Sequence, residues 1–258
     1  MTPLLTWVSA LPWLLTLALV AWAVCTMRRN VGLVDIFWPL FIATAALAWL
    51  AQQQAPSQRG WLVLGLVALW ALRLATHLGI RNWNAPEDHR YQAIRRRNEP
   101  GFVWKSLYLV FGLQALLALV VAAPVCDALT GTGRLGPIDV IGAALALAGI
   151  VIEALADAQL TRFRACPDNR GKVLDSGLWR YSRHPNYFGE FCVWWGLFLL
   201  ALAAGGWWTA ASPLLMSVLL LRVSGVRLLE SDIGTRRPEY ATYIARTNAF
   251  IPGPRKAA

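Results

Sequence analysis

The chain has 258 residues, of which 57% are apolar and 15% are charged, and its formal net charge is +10. Soluble domains typically contain about 25% charged residues, so this composition excludes an ordinary soluble protein. The positive charge does not predict a nucleic-acid partner, because basic residues of a membrane protein gather in its cytoplasmic loops, facing anionic membrane lipids. No obligatory protein partner is evident.

Apolar runs long enough to cross a bilayer recur along the chain. They predict an all-α integral membrane protein with about seven transmembrane helices, at residues 3–24, 31–51, 60–80, 102–125, 137–158, 188–204 and 207–229. We expect a loop at 126–136 and a weak amphipathic helix at 238–246. We also expect one domain, with the substrate side in residues 1–136 and a cofactor-binding core in residues 137–258.

The 24 Lys and Arg residues are distributed unevenly among the connections. The connections after spans one, three and five, with Lys105 at the start of span four and the C-terminal end from Arg222 onward, hold 21 of them. The opposite loops hold only Arg59 and Arg134, and Arg73 lies within a span. This asymmetry predicts an N-terminus outside and a C-terminus in the cytosol. Because the first cations, Arg28 and Arg29, follow the first apolar run, we expect that run to be a retained span and not a removed signal peptide.

Two patterns with chemical associations do not predict a site here. The four cysteines and three histidines show no metal-ligand spacing, so no metal is predicted. Residues 131–136 match G-x-G-x-x-G, but they lie between two spans and run into Pro137, without the preceding strand that a dinucleotide site requires.

Ionisable residues inside or at the edge of apolar segments are more informative, since each costs about 2.5–3.5 kcal/mol at the bilayer centre and normally faces a cavity or a partner. They are Asp35, Arg73, His77, Glu153, Asp157, Glu190, Arg222 and Glu230. Glu153 and Asp157, four residues apart, share a helix face. Either they form a structural ion-pair network or they belong to a polar cradle for an anionic cofactor. The many cations of the next connection favour the cradle.

The stretch from Asp175 to Glu190 combines cationic, amide, phenol and carboxylate side chains directly before an apolar run. Pro185 disfavours a helical conformation at His184. Irregular backbone at membrane depth persists only where it is buried in protein or lines a cavity. The segment from Arg183 to Tyr187 therefore predicts a pocket.

Residues 176–190 resemble the C-terminal core of the membrane steroid 5α-reductase superfamily, and their central motif resembles that of the sterol C14- and C7-reductases. The whole chain is similar to the superfamily's bacterial branch, DUF1295, with further matching pieces at 30–38, 81–82, 86–91, 114, 222–226, 237–243 and 247–252. The resemblance implies a seven-helix enzyme of the bacterial inner membrane that takes NADPH from the cytosolic side. It would reduce an activated carbon–carbon double bond of a lipid or steroid-like substrate entering from the bilayer.

The resemblance also implies which residues hold NADPH. Asp157, Arg164, Lys172, Tyr181, Asn186, Glu190 and Arg222 match the superfamily's cofactor positions. Arg183, His184 and Tyr187 match those of the sterol reductases, and Glu230 and Asn248 are further candidates.

The catalytic acid departs from the animal 5α-reductases, which use a Gln-Glu pair and a Tyr near the substrate enone. Leu78 stands where that Tyr is expected, and the second span has no Gln-Glu pair. Asp35, the only carboxylate of that span, is the predicted acid, with His77 or Tyr91 assisting. It would polarise the enone carbonyl or protonate the α-carbon while the cofactor supplies hydride to the β-carbon.

Two alternatives remain open. Isoprenylcysteine and phospholipid methyltransferases carry a similar motif for S-adenosylmethionine, matched here by Arg183-His184-Pro185, Tyr187 and Gly189-Glu190. Because S-adenosylmethionine has no phosphate, the cationic set favours NADPH. A non-catalytic lipid-binding or scaffold protein is the third class.

Overall fold

The computed structural model describes residues 3–223, 226, 230 and 240–256, and the regular elements in this part of the chain are helical. The α-helices are α1 (Pro3–Val8), α2 (Leu11–Met27), α3 (Val34–Leu50), α4 (Gln58–Asn82), α5 (His89–Asn98), α6 (Phe102–Ser106), α7 (Leu113–Val121), α8 (Ala123–Thr130), α9 (Pro137–Ala165), α10 (Pro185–Ala203), α11 (Ala211–Val218) and α12 (Tyr240–Arg246). A π-helical segment, Leu107–Gly112, joins α6 to α7, and another, Leu219–Val223, follows α11.

Among the described residues, six helical segments are long and apolar enough to cross a membrane. They are Leu4–Met27, Val31–Leu50, Gln58–Asn82, Phe102–Val121, Pro137–Ala165 and Pro185–Ala203. The prediction of a helical membrane protein is therefore confirmed. The predicted seventh span is a shorter apolar helix over Trp207–Val223, and most of the remainder of that prediction lies outside the described residues.

The fourth predicted span is wrong at its C-terminal end. The helix stops at Val121, and a new helix, α8, occupies part of the region expected to be a loop. Pro124 explains the break, because its ring would clash with the preceding turn of a continuous helix, whereas it is tolerated in the first turn of a new one.

The chain divides into two compact units, and the first comprises residues 1–139 and 200–212. In it α3 packs against α2 and α4, and α8 packs against α4. Arg59, expected in an external loop, is instead buried and paired with Asp139, with Nε 2.6 Å from Oδ1. Arg59 also donates to the carbonyl oxygens of Thr132 and Arg134. The G-x-G-x-x-G segment, which follows α8, is thus held by this ion pair.

The second unit comprises residues 140–199 and 213–258. Its helices α9 and α10 approach so closely that glycine is required at the crossing. A Cβ added at Gly196 would lie 2.5 Å from the amide nitrogen of Ala146, and one added at Gly149 would lie 2.5 Å from the carbonyl oxygen of Gly189. The close crossing positions the polar residues at the end of α9 against the start of α10.

The C-terminal segment completes this unit. The amphipathic helix predicted at 238–246 is observed as α12 from Tyr240, which is buried together with Tyr243. Beyond it the chain returns along the connection between α9 and α10, where the amide of Gly253 donates to the carbonyl oxygen of Tyr181.

Candidate functional site

The connection entering α10 is irregular and buried, as the sequence predicts. Pro185 is the first residue of α10, and His184 lies outside the helix. Ser182 Oγ accepts from the amide of His184 at 3.1 Å and donates to the carbonyl oxygen of Phe250 at 2.8 Å. The backbone polar groups of the break are therefore paired with the protein itself.

Arg183 is the centre of a clamp on the C-terminal segment. Its Nε and Nη2 donate to the two carboxylate oxygens of Glu230 at 2.7 and 2.9 Å. Its Nη1 donates to the carbonyl oxygens of Ile244 and Thr247, and its amide donates to that of Asn248. These contacts give Arg183 a structural role, and its predicted contact with NADPH stays a prediction.

His184 extends the clamp toward α10. Its Nε2 lies 3.0 Å from Oε1 of Glu230, and its ring stacks on Tyr187 with 5.6 Å between centroids. Burial raises the pKa of Glu230, but the hydrogen bonds from His184 and Arg183 outweigh it and lower this pKa to about 2. Glu230 is therefore ionised at neutral pH.

Carboxylates gather where α9 crosses α10. Glu153, Asp157 and Glu190 are 5%, 6% and 5% exposed. Asn186 Nδ2 donates to Oδ1 of Asp157 at 3.1 Å, and Trp194 Nε1 donates to Oε1 of Glu190 at 2.8 Å. The structure thus brings predicted cofactor residues together near the start of α10: Asp157 with Asn186, His184 with Tyr187, and Arg183 with Glu230.

A cleft of about 400 Å³ opens between the connection and the C-terminal segment, and its lining residues are Lys172, Val173, Asp175, Thr242, Tyr243, Arg246, Thr247 and Arg255. Arg255 Nη2 donates to Oδ2 of Asp175 at 2.7 Å. Three cations and one carboxylate line the cleft, so it attracts anions. Thr247 joins the cleft to the Arg183 clamp, since its carbonyl oxygen accepts from Arg183 at 2.7 Å.

Three lining residues of this cleft, Arg246, Thr247 and Arg255, were not predicted as site residues. The excess of basic residues at the C-terminal end was a signal for the two arginines, whereas Thr247 had no such signal. Other predicted residues, Arg164, Tyr181 and Arg222, are exposed, and their contact with a cofactor stays a prediction.

The first unit holds a separate polar cluster around Asp35. Tyr91 Oη donates to Oδ1 of Asp35 at 2.6 Å, and Nη2 of Arg90 lies 3.4 Å from Oδ2. Asp88 caps α5 by accepting from the amide of Arg90 at 2.9 Å. Burial, and then the charge of Asp35, raises the pKa of Tyr91 well above its ordinary value. Of the two predicted helpers of Asp35, Tyr91 is hydrogen-bonded to it, whereas His77 lies on α4. The catalytic roles of all three residues stay predictions.

Glu87 connects the segment before α3 to the segment before α5, and these two segments flank this cluster. Its Oε1 accepts from the amide of Val31 and from Nη2 of Arg95, each at 2.8 Å. Asn30 Nδ2 donates to the carbonyl oxygen of Ala85 at 3.1 Å. The turn before α3 is thereby fixed to the turn before α5, which sets the position of Asp35 relative to Tyr91.

Apolar helices with buried polar clusters at their ends define a helical membrane protein with a candidate binding site in each unit. A family model described as "Protein of unknown function (DUF1295)" matches residues 21–247, so the chain belongs to this family. An uncharacterised protein of the fission yeast Schizosaccharomyces pombe is 26% identical over 265 residues, covering 90% of this chain and 76% of the yeast protein. No solved structure matches the chain. The relative is eukaryotic, so the expected bacterial membrane stays a prediction.

Proposed function

We propose that this protein is a membrane oxidoreductase that uses NADPH to reduce an activated carbon–carbon double bond of a lipid or steroid-like substrate. The observation that carries the proposal is the polar centre of the second unit. There the Asp157–Asn186 pair and the clamped His184 lie on α9 and at the start of α10, and the basic cleft continues from the clamp through Thr247.

These residues suit the chemical groups of NADPH. Its phosphates require cations, which Lys172, Arg246 and Arg255 provide in the cleft. Its carboxamide and ribose hydroxyls require both donors and acceptors, which Asn186 and Asp157 provide. When bound, NADPH supplies a hydride.

The proton that completes the reduction comes from the Asp35–Tyr91 pair. Tyr91 Oη holds it and donates to Oδ1 of Asp35, so the two residues share one short hydrogen bond and act as a single acid. Arg90 orients the second carboxylate oxygen. The sequence predicted Asp35 as the acid with His77 or Tyr91 assisting, whereas this proposal makes Tyr91 the proton-bearing residue.

We further propose seven spans, an N-terminus outside and a cofactor site facing the cytosol, which in a bacterium means the inner membrane. The set of 21 basic residues, out of 24, that is assigned to one side of the membrane supports this orientation. The cleft cations Lys172, Arg246 and Arg255 belong to that set.

An S-adenosylmethionine-dependent methyltransferase is the competing class. It is supported by the motif from Arg183 to Glu190, within which His184 and Tyr187 stack. Three cations in one cleft favour NADPH, because S-adenosylmethionine carries one carboxylate and no phosphate.

The test is a thermal shift of the detergent-purified protein with NADPH, NADH and S-adenosylmethionine in parallel. A ligand at 100 times its Kd adds about 2.7 kcal/mol of stability. We expect NADPH to shift the transition and Asp157→Asn to remove most of that shift. Asp168→Asn, in the exposed turn Pro167–Asn169, is the matched control and should behave as the parent. A shift with S-adenosylmethionine alone would replace the reductase by the methyltransferase, and no shift with any ligand would favour a non-catalytic protein.

A further inference from the structure

The cleft in the second unit combines an excess of positive charge with unused hydrogen-bond donors. Thr247 is 1% exposed, and its Oγ1 is buried without a hydrogen-bond partner in the described part of the chain. Nε of Arg255 is likewise buried without such a partner, while its Nη2 is held by Asp175. Buried polar groups are normally paired, so these two line a site that a ligand completes.

The charges around these donors select the ligand's chemistry. Lys172 comes from the connection after α9, Arg246 from the end of α12 and Arg255 from the C-terminal segment, so three separate stretches of chain direct cations to one place. Asp175 is the carboxylate among the lining residues, and its pairing with Arg255 fixes the guanidinium plane. Among the described lining residues the cations exceed the carboxylate by two charges, which matches the roughly two negative charges of a phosphate monoester at neutral pH.

The cleft's size is consistent with part of a cofactor or one headgroup. Its volume of about 400 Å³ lies at the lower end of the range for small-molecule sites. A phosphodiester carries a single charge and has substituents on both sides, so it matches this charge excess less well.

We propose that this cleft is a binding site for a phosphate monoester, contacted by Lys172, Arg246, Arg255 and the hydroxyl of Thr247. The inference rests on the proposed function where the monoester is the 2′-phosphate of NADPH, and the site then discriminates NADPH from NADH. The same chemistry is offered by the headgroup of phosphatidic acid, whose phosphate is also a monoester.

The experiment measures ligand affinity for the full chain in nanodiscs, with three variants and a control. Arg246→Gln and Lys172→Gln remove a charge, and Thr247→Val removes the buried hydroxyl while keeping the side-chain shape and the carbonyl bonded to Arg183. Lys256→Gln is the control, because Lys256 is exposed and does not line the cleft. Far-ultraviolet circular dichroism and the melting temperature without ligand establish that each variant is folded.

We expect the parent to bind NADPH at least tenfold more tightly than NADH. Each charge variant should weaken NADPH binding about tenfold, and Thr247→Val about threefold, while NADH binding changes less than twofold. Lys256→Gln should leave both affinities unchanged.

A second arm separates this site from the proposed function. Nanodiscs containing phosphatidic acid are compared with nanodiscs containing phosphatidylglycerol, whose phosphate is a diester. If NADPH does not bind but phosphatidic acid stabilises the parent and not the cleft variants, the reductase proposal fails and the monoester site stands with a lipid ligand. If the cleft variants bind NADPH and respond to phosphatidic acid as the parent does, the monoester site is overturned.

Discussion

At the scale of single residues, buried polar groups in both units are paired across long stretches of sequence. Tyr91 donates to Asp35 at 2.6 Å in the first unit, and in the second Glu230 lies between Arg183 and His184. Burial strengthens these interactions but makes the loss of one partner costly. Removal of one partner in each cluster therefore has a testable effect.

The first prediction concerns Tyr91. Tyr91→Phe removes the hydroxyl and keeps the ring, so we expect turnover of an enone lipid to fall about a hundredfold, the lower end of the usual contribution of general acid catalysis. The NADPH affinity should not change. NADPH oxidation followed by absorbance measures the first quantity and the thermal shift measures the second. Tyr108→Phe, at a position 62% exposed, is the matched control, and full turnover in Tyr91→Phe would remove Tyr91 from the proposed chemistry.

The second prediction concerns pH and Glu230. Its pKa is about 2 in the folded protein against an ordinary value of 4.5. Because the folded-state pKa is the lower one, the ionised Glu230 stabilises the fold above pH 4.5, and this stabilisation is lost as the pH falls toward 2. The shift corresponds to roughly 3 kcal/mol.

Melting temperatures between pH 6 and pH 3 measure this effect. Glu230→Gln should have a lower melting temperature at pH 6 and a shallower decline toward pH 3 than the parent. Asp168→Asn, an exposed acid, should keep the parent's decline. Equal slopes in Glu230→Gln and the parent would show that Glu230 does not control acid stability.

At the scale of elements, the close crossing of α9 and α10 depends on glycine residues, which have no side chain at the points of contact. A Cβ at Gly196 would lie 2.5 Å from the backbone nitrogen of Ala146, so one of the helices must move. We expect Gly196→Ala to destabilise the protein by about 1–3 kcal/mol through overpacking, measured as a lower melting temperature in detergent.

Gly65 on α4 supplies the control for Gly196→Ala. A Cβ there would meet no atom within 4 Å. Gly65→Ala should be neutral or stabilise the protein by up to about 1 kcal/mol, because alanine favours a helix over glycine. A Gly196→Ala variant as stable as Gly65→Ala would contradict the close crossing.

At the scale of the whole molecule, orientation in the membrane is tested by the cysteines. Cys166, just after α9, is exposed, whereas Cys25, Cys126 and Cys192 are buried. If the connection after α9 is cytosolic, a membrane-impermeant maleimide should label Cys166 in inside-out vesicles and not in intact cells. Cys166→Ser should abolish labelling.

The loop between α8 and α9, which is expected on the other side of the membrane from Cys166, gives the matched measurement. Thr132→Cys, introduced into Cys166→Ser, places a thiol between α8 and α9 at an exposed position. It should be labelled in intact cells. Labelling of Cys166 from the outside would reverse the proposed orientation.

Features set by the local sequence were predictable. The apolar runs predicted the helices, because a membrane-spanning helix requires about 20 apolar residues. Pro185 predicted the helix break before α10, because proline restricts the residue that precedes it. The Arg183–Tyr187 segment indicated the neighbourhood of the site through its density of polar groups. The sequence by itself therefore determined the class of protein and the centre of its candidate site.

The tertiary structure alone decided which distant residues meet. Arg59 pairs with Asp139, 80 positions away, although the charge count placed it in an external loop. Arg255 meets Asp175, also 80 positions away, and with Lys172 and Arg246 forms the basic cleft. Helical periodicity and turn preferences act over a few residues, whereas these pairings depend on how separate helices pack and where the C-terminal segment folds back. That packing brings basic residues, whose count by itself indicates membrane orientation, together in one cleft.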